Sequence, residues 1–104
     1  MNVKGEVLLK RNGGTLPARK GIKLQEKDVI QTIGKSKAQL RFSDNTLVSI
    51  GSDSDFNVEE YLYEPEQNSG TTRFTVAAGA FKMITGRIAK LAPKHFKIKM
   101  EQQL

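Results

Sequence analysis

The chain has 104 residues, of which 38% are hydrophobic and 27% charged, with a formal net charge of +6 and no cysteine. That length suits one domain burying about two-thirds of the surface its unfolded form exposes, and the composition is neither collagen-like nor disordered. Disulfides, a thiolate metal site and a cysteine nucleophile are excluded, and no apolar run approaches the ~20 residues of a membrane helix.

MNVKGEVLLK lacks the apolar core and cleavage site of a signal peptide, so the chain as it stands reads as soluble. Freedom from cysteine fits the cytosol and the bacterial periplasm alike.

In chain order, the N-terminal third reads as GEVLLKR, a turn at Asn12-Gly13-Gly14, then TLPA and KDVIQTIG. Ala38, Leu40 and Phe42 alternate with Gln39 and Arg41, the period of a half-buried strand. Asp44-Asn45 interrupts as a hairpin turn, since both residue types tolerate left-handed backbone, and Val48 and Ile50 resume the alternation. Asp53 and Asp55 read as a second turn opening an acidic strand, SDFNVEEYLYE. Phe56, Val58 and Leu62 take its inward parity, while Tyr61 and Tyr63 share the opposite face.

After the turn signals of PEQNSG, RFTVAAGAFKMITGRIA is rich in β-formers, with Gly79 and Gly86 as bulge or turn positions. TGRIAKLAPK allows one short helical turn before Pro93, with Ile88 and Leu91 inward. Phe96, Ile98 and Met100 then alternate with Lys97 and Lys99. The expected fold is all-β: a single domain over residues 1–104 of short, mostly antiparallel strands, arranged as a sandwich or short β-coil, with at most one short helical turn.

Charge is segregated along the chain. Residues 1–41 carry ten Lys/Arg and three Asp/Glu, residues 42–66 none and seven, and residues 67–104 seven and one. Either acidic strands pair with basic neighbours across the sheet, or the surface is dipolar and steers a charged partner.

Chemistry finds little support. Asp53-Ser54-Asp55 supplies one alternate pair of calcium ligands, but no glycine follows for the sharp bend, so Asp44, Asp53 and Asp55 default to turn and strand-edge roles. His95 is the only histidine, and Glu59 and Glu60, being adjacent, fall on opposite faces of a strand. The expectation is no enzyme, metal or cofactor. The basic balance has the sign for nucleic acid, yet no aromatic platform interleaves with the lysines, so none is expected as a partner. Tyr61 and Tyr63, flanked by Glu59 and Glu64, form either a packed layer or an exposed protein interface.

KDVIQTIGKSKAQLRFSDNTLVSIG resembles the central signature of the FecR domain, named after the regulator of ferric citrate transport. Asp28, Ile30 and Thr32 match its Asp-x-Ile-x-Thr segment. Ala38, Leu40, Phe42, Asp44, Val48 and Ile50 match the alternating strands around Phe-x-Asp. GAFKMITGRIAKLAPKHFKIK, residues 79–99, is similar to the later segment, in which Thr-Gly precedes a basic stretch. The resemblance covers about residues 5–99, leaving 100–104 as a truncated end or tail. Lys27 stands where the family often has glycine, and Asp44-Asn45 where it favours Asp-Gly.

The resemblance implies a non-catalytic periplasmic or exported protein-interaction module. Related regulators take part in cell-surface signalling that controls iron transport, passing a signal from a TonB-dependent outer-membrane receptor to a sigma factor. It implies as partner an outer-membrane receptor or another envelope protein. The alternative is a surface or envelope structural module binding glycan or another envelope component. An unpaired edge strand near residues 96–100 would invite a homodimer.

Overall fold

The structure is a computed structural model and describes residues 1–101. It is an all-β domain built on one eight-stranded sheet, with strands β1 (Asn2–Arg11), β2 (Gly14–Pro17), β3 (Val29–Arg41), β4 (Leu47–Ile50), β5 (Asp55–Glu64), β6 (Ser69–Ala78), β7 (Phe81–Ile84) and β8 (Phe96–Met100). Among the described residues one α-helix, α1 (Arg87–Leu91), and a 3-10 turn at Pro93–His95 precede β8. The tail expected at residues 100–104 divides: Met100 belongs to β8, and residues 102–104 lie outside the described residues.

β3 is the spine. On one side it pairs with β1 along most of its 13 residues; on the other it pairs first with β5, through Val29–Gln31, and then with β4, through Ala38–Arg41. β4 continues to β7, and β5 to β6. These pairs are antiparallel, but β8 joins β6 in parallel, with α1 inside the connection.

A sandwich is therefore not formed; the structure is nearer to the short coil. Registers carry the inward parity from Val7 and Leu9 to Ile30, Phe56 and Val76, and from Ala38 and Leu40 to Ile50 and Val48, so one sheet face holds the core. That face folds over onto itself. The ring of Phe42, at the end of β3, lies 4.9 Å from that of Phe74 in β6, which in turn lies 5.0 Å from Phe56. The bend falls where β3 outruns β1, at Gly34 (φ 62°), and Ser36 Oγ closes the irregularity by accepting from Glu6 N–H (2.8 Å) and donating to the Ile33 carbonyl (2.6 Å).

Parity expectations fail at Tyr61 and Leu62, at Leu91, and at Glu59 and Glu60, which both reach Arg73 instead of taking opposite faces. A β-bulge between Val58 and Glu60 inserts one residue into β5, which reverses every side chain beyond it. Tyr61 consequently faces the core and Leu62 is 53% exposed, the reverse of the alternation extrapolated from Phe56 and Val58. In α1, Ile88 is fully buried but Leu91 is 43% exposed, because the five-residue helix ends before a second turn could reach the sheet.

Turn chemistry accounts for the left-handed residues Asn12, Asn45, Asp53 and Asn68. Lys27 is different. It holds φ 75° immediately before β3, with its N–H donated to the Val58 carbonyl (2.6 Å), although a lysine gains nothing from that conformation. Beside it, Asp28 is 1% exposed and takes both arms of Arg11, Nε at 2.9 Å and Nη2 at 2.7 Å, plus the Gln25 N–H at 2.8 Å. The same Arg11 Nη2 donates to the Lys23 carbonyl (2.9 Å), so one side chain pins the 18–27 connection to the end of β1.

Lys27→Gly is expected to stabilise the fold by about 1 kcal/mol, because the glycine keeps the donor and relieves the left-handed strain; a raised urea midpoint at unchanged slope checks this. Arg11→Ala strands a buried carboxylate and is expected to cost about 2–3 kcal/mol, with part recovered in an Arg11→Ala, Asp28→Ala double variant. A double-mutant cycle by thermal melting measures the coupling.

Candidate interaction surface

The three aspartates that open the acidic region hold three separate positions. Asp53 Oδ1 accepts the Gly34 N–H (2.7 Å), closing the bend of β3 against the β4–β5 turn. Asp55 Oδ2 accepts from Gln31 Nε2 (3.1 Å) across the β3–β5 pair. Asp44 is the surprise: a hairpin-turn residue with no exposed surface.

Its carboxylate is saturated by donors from its own turn and from two distant segments. Oδ1 accepts from the Thr46 N–H (3.2 Å) and the Tyr61 hydroxyl (2.8 Å), and Oδ2 from the Thr46 hydroxyl (2.9 Å) and the Ile88 N–H (3.0 Å). The Asp44 carbonyl accepts the Arg87 N–H (2.9 Å), so this turn satisfies the first amides of α1. Gly86, just before the helix, is required by contact: a Cβ there would strike the Asp44 carbonyl oxygen and the Thr46 nitrogen. Its N–H donates to Thr46 Oγ1 (3.2 Å).

Tyr61 completes this anchor from β5. Its hydroxyl gives its one proton to Asp44 Oδ1 and accepts the Asp44 N–H (3.0 Å), while Ser43 Oγ lies 3.2 Å away and, the phenol's proton being spent, acts as donor. The ring packs at 4.9 Å on Phe42, and the Tyr61 N–H donates to Glu26 Oε1 (3.1 Å). Burial, with the hydrogen bond to the Asp44 carboxylate, pushes the phenol's pKa above its ordinary value near 10.

The other expected surface residues divide between faces. Tyr63 is half-buried on the α1 side, lining a shallow cavity of about 300 Å³ with Pro65, Asn68, Arg87, Lys90 and Leu91. Glu59 sits at the bulge and, with Glu60, reaches Arg73 on β6 at 3.4 and 2.8 Å. This is the cross-sheet pairing that charge segregation suggests, and at such exposure each contact contributes about 0–1 kcal/mol. Glu64 and the exposed Leu62 share the outer face with Glu60. The structure thus separates Tyr61 and Tyr63, on the inner face, from an outer strip of Glu60, Leu62 and Glu64.

Sequence reasoning missed Asp44, Thr32 and Asp28 as buried polar anchors. Thr32 Oγ1 donates to the Gly51 carbonyl (2.7 Å) and accepts the Ser54 N–H (2.8 Å), tying β3 to the β4–β5 turn. The one signal was their place in an apolar alternation, at positions where a hydrophobic residue was due. Among the described residues no group of three or more His, Cys, Asp or Glu could hold a metal ion, and His95 is exposed on the turn before β8.

Fold and surface together describe an all-β module in which the polar residues of the sequence signature are spent on architecture. A family model described as "FecR protein" matches residues 28–103, and the chain belongs to that family. No curated protein and no solved structure matches it. The match begins at Asp28, so β1 and β2 precede it, although β1 is the longest partner of the spine.

Tyr61→Phe leaves the Asp44 N–H without its acceptor and removes one donor from the carboxylate, at an expected cost of about 1–3 kcal/mol. The same variant tests pH dependence. From about pH 10 upward the unfolded chain ionises this phenol while the folded chain keeps its proton, so wild-type stability falls as pH rises through that range. Urea midpoints between pH 9 and 11 are expected to fall less steeply for Tyr61→Phe, the difference isolating the contribution of Tyr61.

Proposed function

We propose that this chain is a non-catalytic protein-interaction module working on the periplasmic or exported side of the cell envelope, the sensing part of a FecR-type regulator that receives a signal from an outer-membrane receptor. Family membership supports the regulatory role. The observation that carries the reading is the fate of the signature: Asp28, Ile30, Thr32, Ala38, Leu40, Phe42, Asp44, Val48 and Ile50 are all buried. Residues held by packing and internal hydrogen bonds have no capacity left for substrate, so recognition falls to the exposed strands around them.

The end of β5 is the natural contact region. Leu62 stands 53% exposed between Glu60 and Glu64, and Tyr63 lies half-buried behind them beside α1. An apolar side chain in a polar rim, with an aromatic close by, is the composition of a protein contact. No helix among the described residues is long and apolar enough to cross a membrane.

The test is calorimetric titration with the purified periplasmic signalling domain of a TonB-dependent outer-membrane receptor from the same organism. Binding in the micromolar range is expected, weakened about tenfold or more by Leu62→Asp with Tyr63→Ala, in a variant whose melting temperature confirms folding. No heat of binding, or an unchanged affinity in that variant, would sink the reading.

A further inference from the structure

The sheet ends at β8, and this edge is unlike the others. β2 is four residues long and stops at Pro17, while β7 has four residues on the far side of β4. β8 has five residues, with no proline and no bulge, and its outer side has no strand partner among the described residues.

Its free hydrogen-bonding groups follow from the ladder. In a parallel pair each residue sends both its N–H and its C=O to the same side, and successive residues alternate. Glu101 donates its N–H to the Val76 carbonyl (2.8 Å), so Lys97 and Lys99, of the same parity, also turn toward β6. The backbones of Phe96, Ile98 and Met100 therefore face outward, and among the described residues only the Phe96 N–H of these is used, by the Pro93 carbonyl.

Side chains extend the argument. Thr72, Phe74 and Val76 on the inner face of β6 are fully buried, whereas their β8 neighbours Phe96 and Ile98 are half-buried and Met100 is 52% exposed. The core layer thus runs past the last strand. On the outer face Lys97 and Lys99 stand exposed beside Arg73 and Thr75. Arg73 is occupied by Glu59 and Glu60, and Lys99 reaches Glu101 at 3.5 Å, but Lys97 has no ion pair among the described residues.

We propose that β8 accepts an added strand: an extended acidic peptide segment in which Asp or Glu alternates with apolar residues. Its main chain would meet Ile98 and Met100, its apolar side chains would cover the lip formed by those residues, and its carboxylates would face Lys97 and Lys99. A second copy of this chain fits less well. Antiparallel pairing of β8 with itself about Ile98 sets Lys97 opposite the second copy's Lys99 and Lys99 opposite its Lys97, and like charges directly opposite are destabilising. This edge lies on a different strand from the β5 surface, so the inference stands or falls independently of the proposed receptor contact.

The test uses two fluorescein-labelled nine-residue peptides, one alternating Glu with Val and one alternating Lys with Val, both with alternate backbone nitrogens methylated to prevent self-association. Anisotropy at low salt should show the Glu peptide binding about tenfold or more tightly than the Lys peptide, with the gap narrowing at high salt. Lys97→Glu with Lys99→Glu should reverse the preference. Ile98→Pro removes an outward N–H while sparing the β6 ladder, and should abolish binding in a protein whose melting temperature stays close to wild type. Equal binding of both peptides, no binding of either, or full binding by the Ile98→Pro variant overturns the proposal. So does a low-salt dimer, detected by sedimentation, that Ile98→Pro dissolves, since the edge would then belong to a second copy.

Discussion

One buried carboxylate organises this fold. Removing an aspartate from water is costly unless donors replace the lost solvent, and Asp44 finds four: two from Thr46, one from Tyr61 and one from Ile88. Those partners are 2, 17 and 44 residues away in the chain. Satisfying the charge therefore fixes three things together: the shape of the β3–β4 hairpin, the inward rotation of β5 beyond its bulge, and the starting point of α1. From that point the chain can only pass along the rim of β6 and return beside it, which is how β8 comes to lie parallel in an otherwise antiparallel sheet.

The remaining polar anchors work on the same principle at other joints. Thr32 links β3 to the β4–β5 turn, Ser36 holds the bend opposite β1, and the Arg11–Asp28 pair fastens the connection that precedes the spine. Each lies where the sheet must change direction and leave ladder hydrogen bonds unmade, and each supplies the missing partner from a side chain. A sheet with only one inward face has no second layer to hold its curvature. These local bonds and the Phe42–Phe74–Phe56 ring contacts do so instead. The family signature is thus a description of joints and core.

How much of this was legible depends on the distance over which each feature is encoded. Alternation in residues 38–50 located two strands and their turn because the period is a property of adjacent residues. The bulge in β5 was not legible: nothing in Val-Glu-Glu-Tyr distinguishes the residue that will be left unpaired, which depends on the register of β6 and on the pull of Asp44 upon the Tyr61 hydroxyl. Asp44 itself was read as a turn residue, which it is, but a turn residue is ordinarily solvated, and only the arrival of α1 removes it from water. Lys27 shows the converse. The position wants glycine for a conformational reason, φ 75°, that the resemblance registered only as a departure.

By itself the sequence determined that the chain is all-β, that alternating residues such as Ala38, Leu40, Val48 and Ile50 lie in strands and face the core, and, through a resemblance, that its signature is that of a FecR domain. The fold class and the strand faces follow from short-range patterns of polarity and turn propensity, which the backbone obeys locally; the family follows from the resemblance alone. Tertiary structure alone decided that a single sheet folds onto its own face, that β8 is parallel, that Tyr61 is a buried support while Leu62 is exposed, and that an apolar edge lined with lysines is left open. Each of these depends on which distant residues meet, and their meeting is set by the need to satisfy buried polar groups, a constraint acting through space and not along the chain.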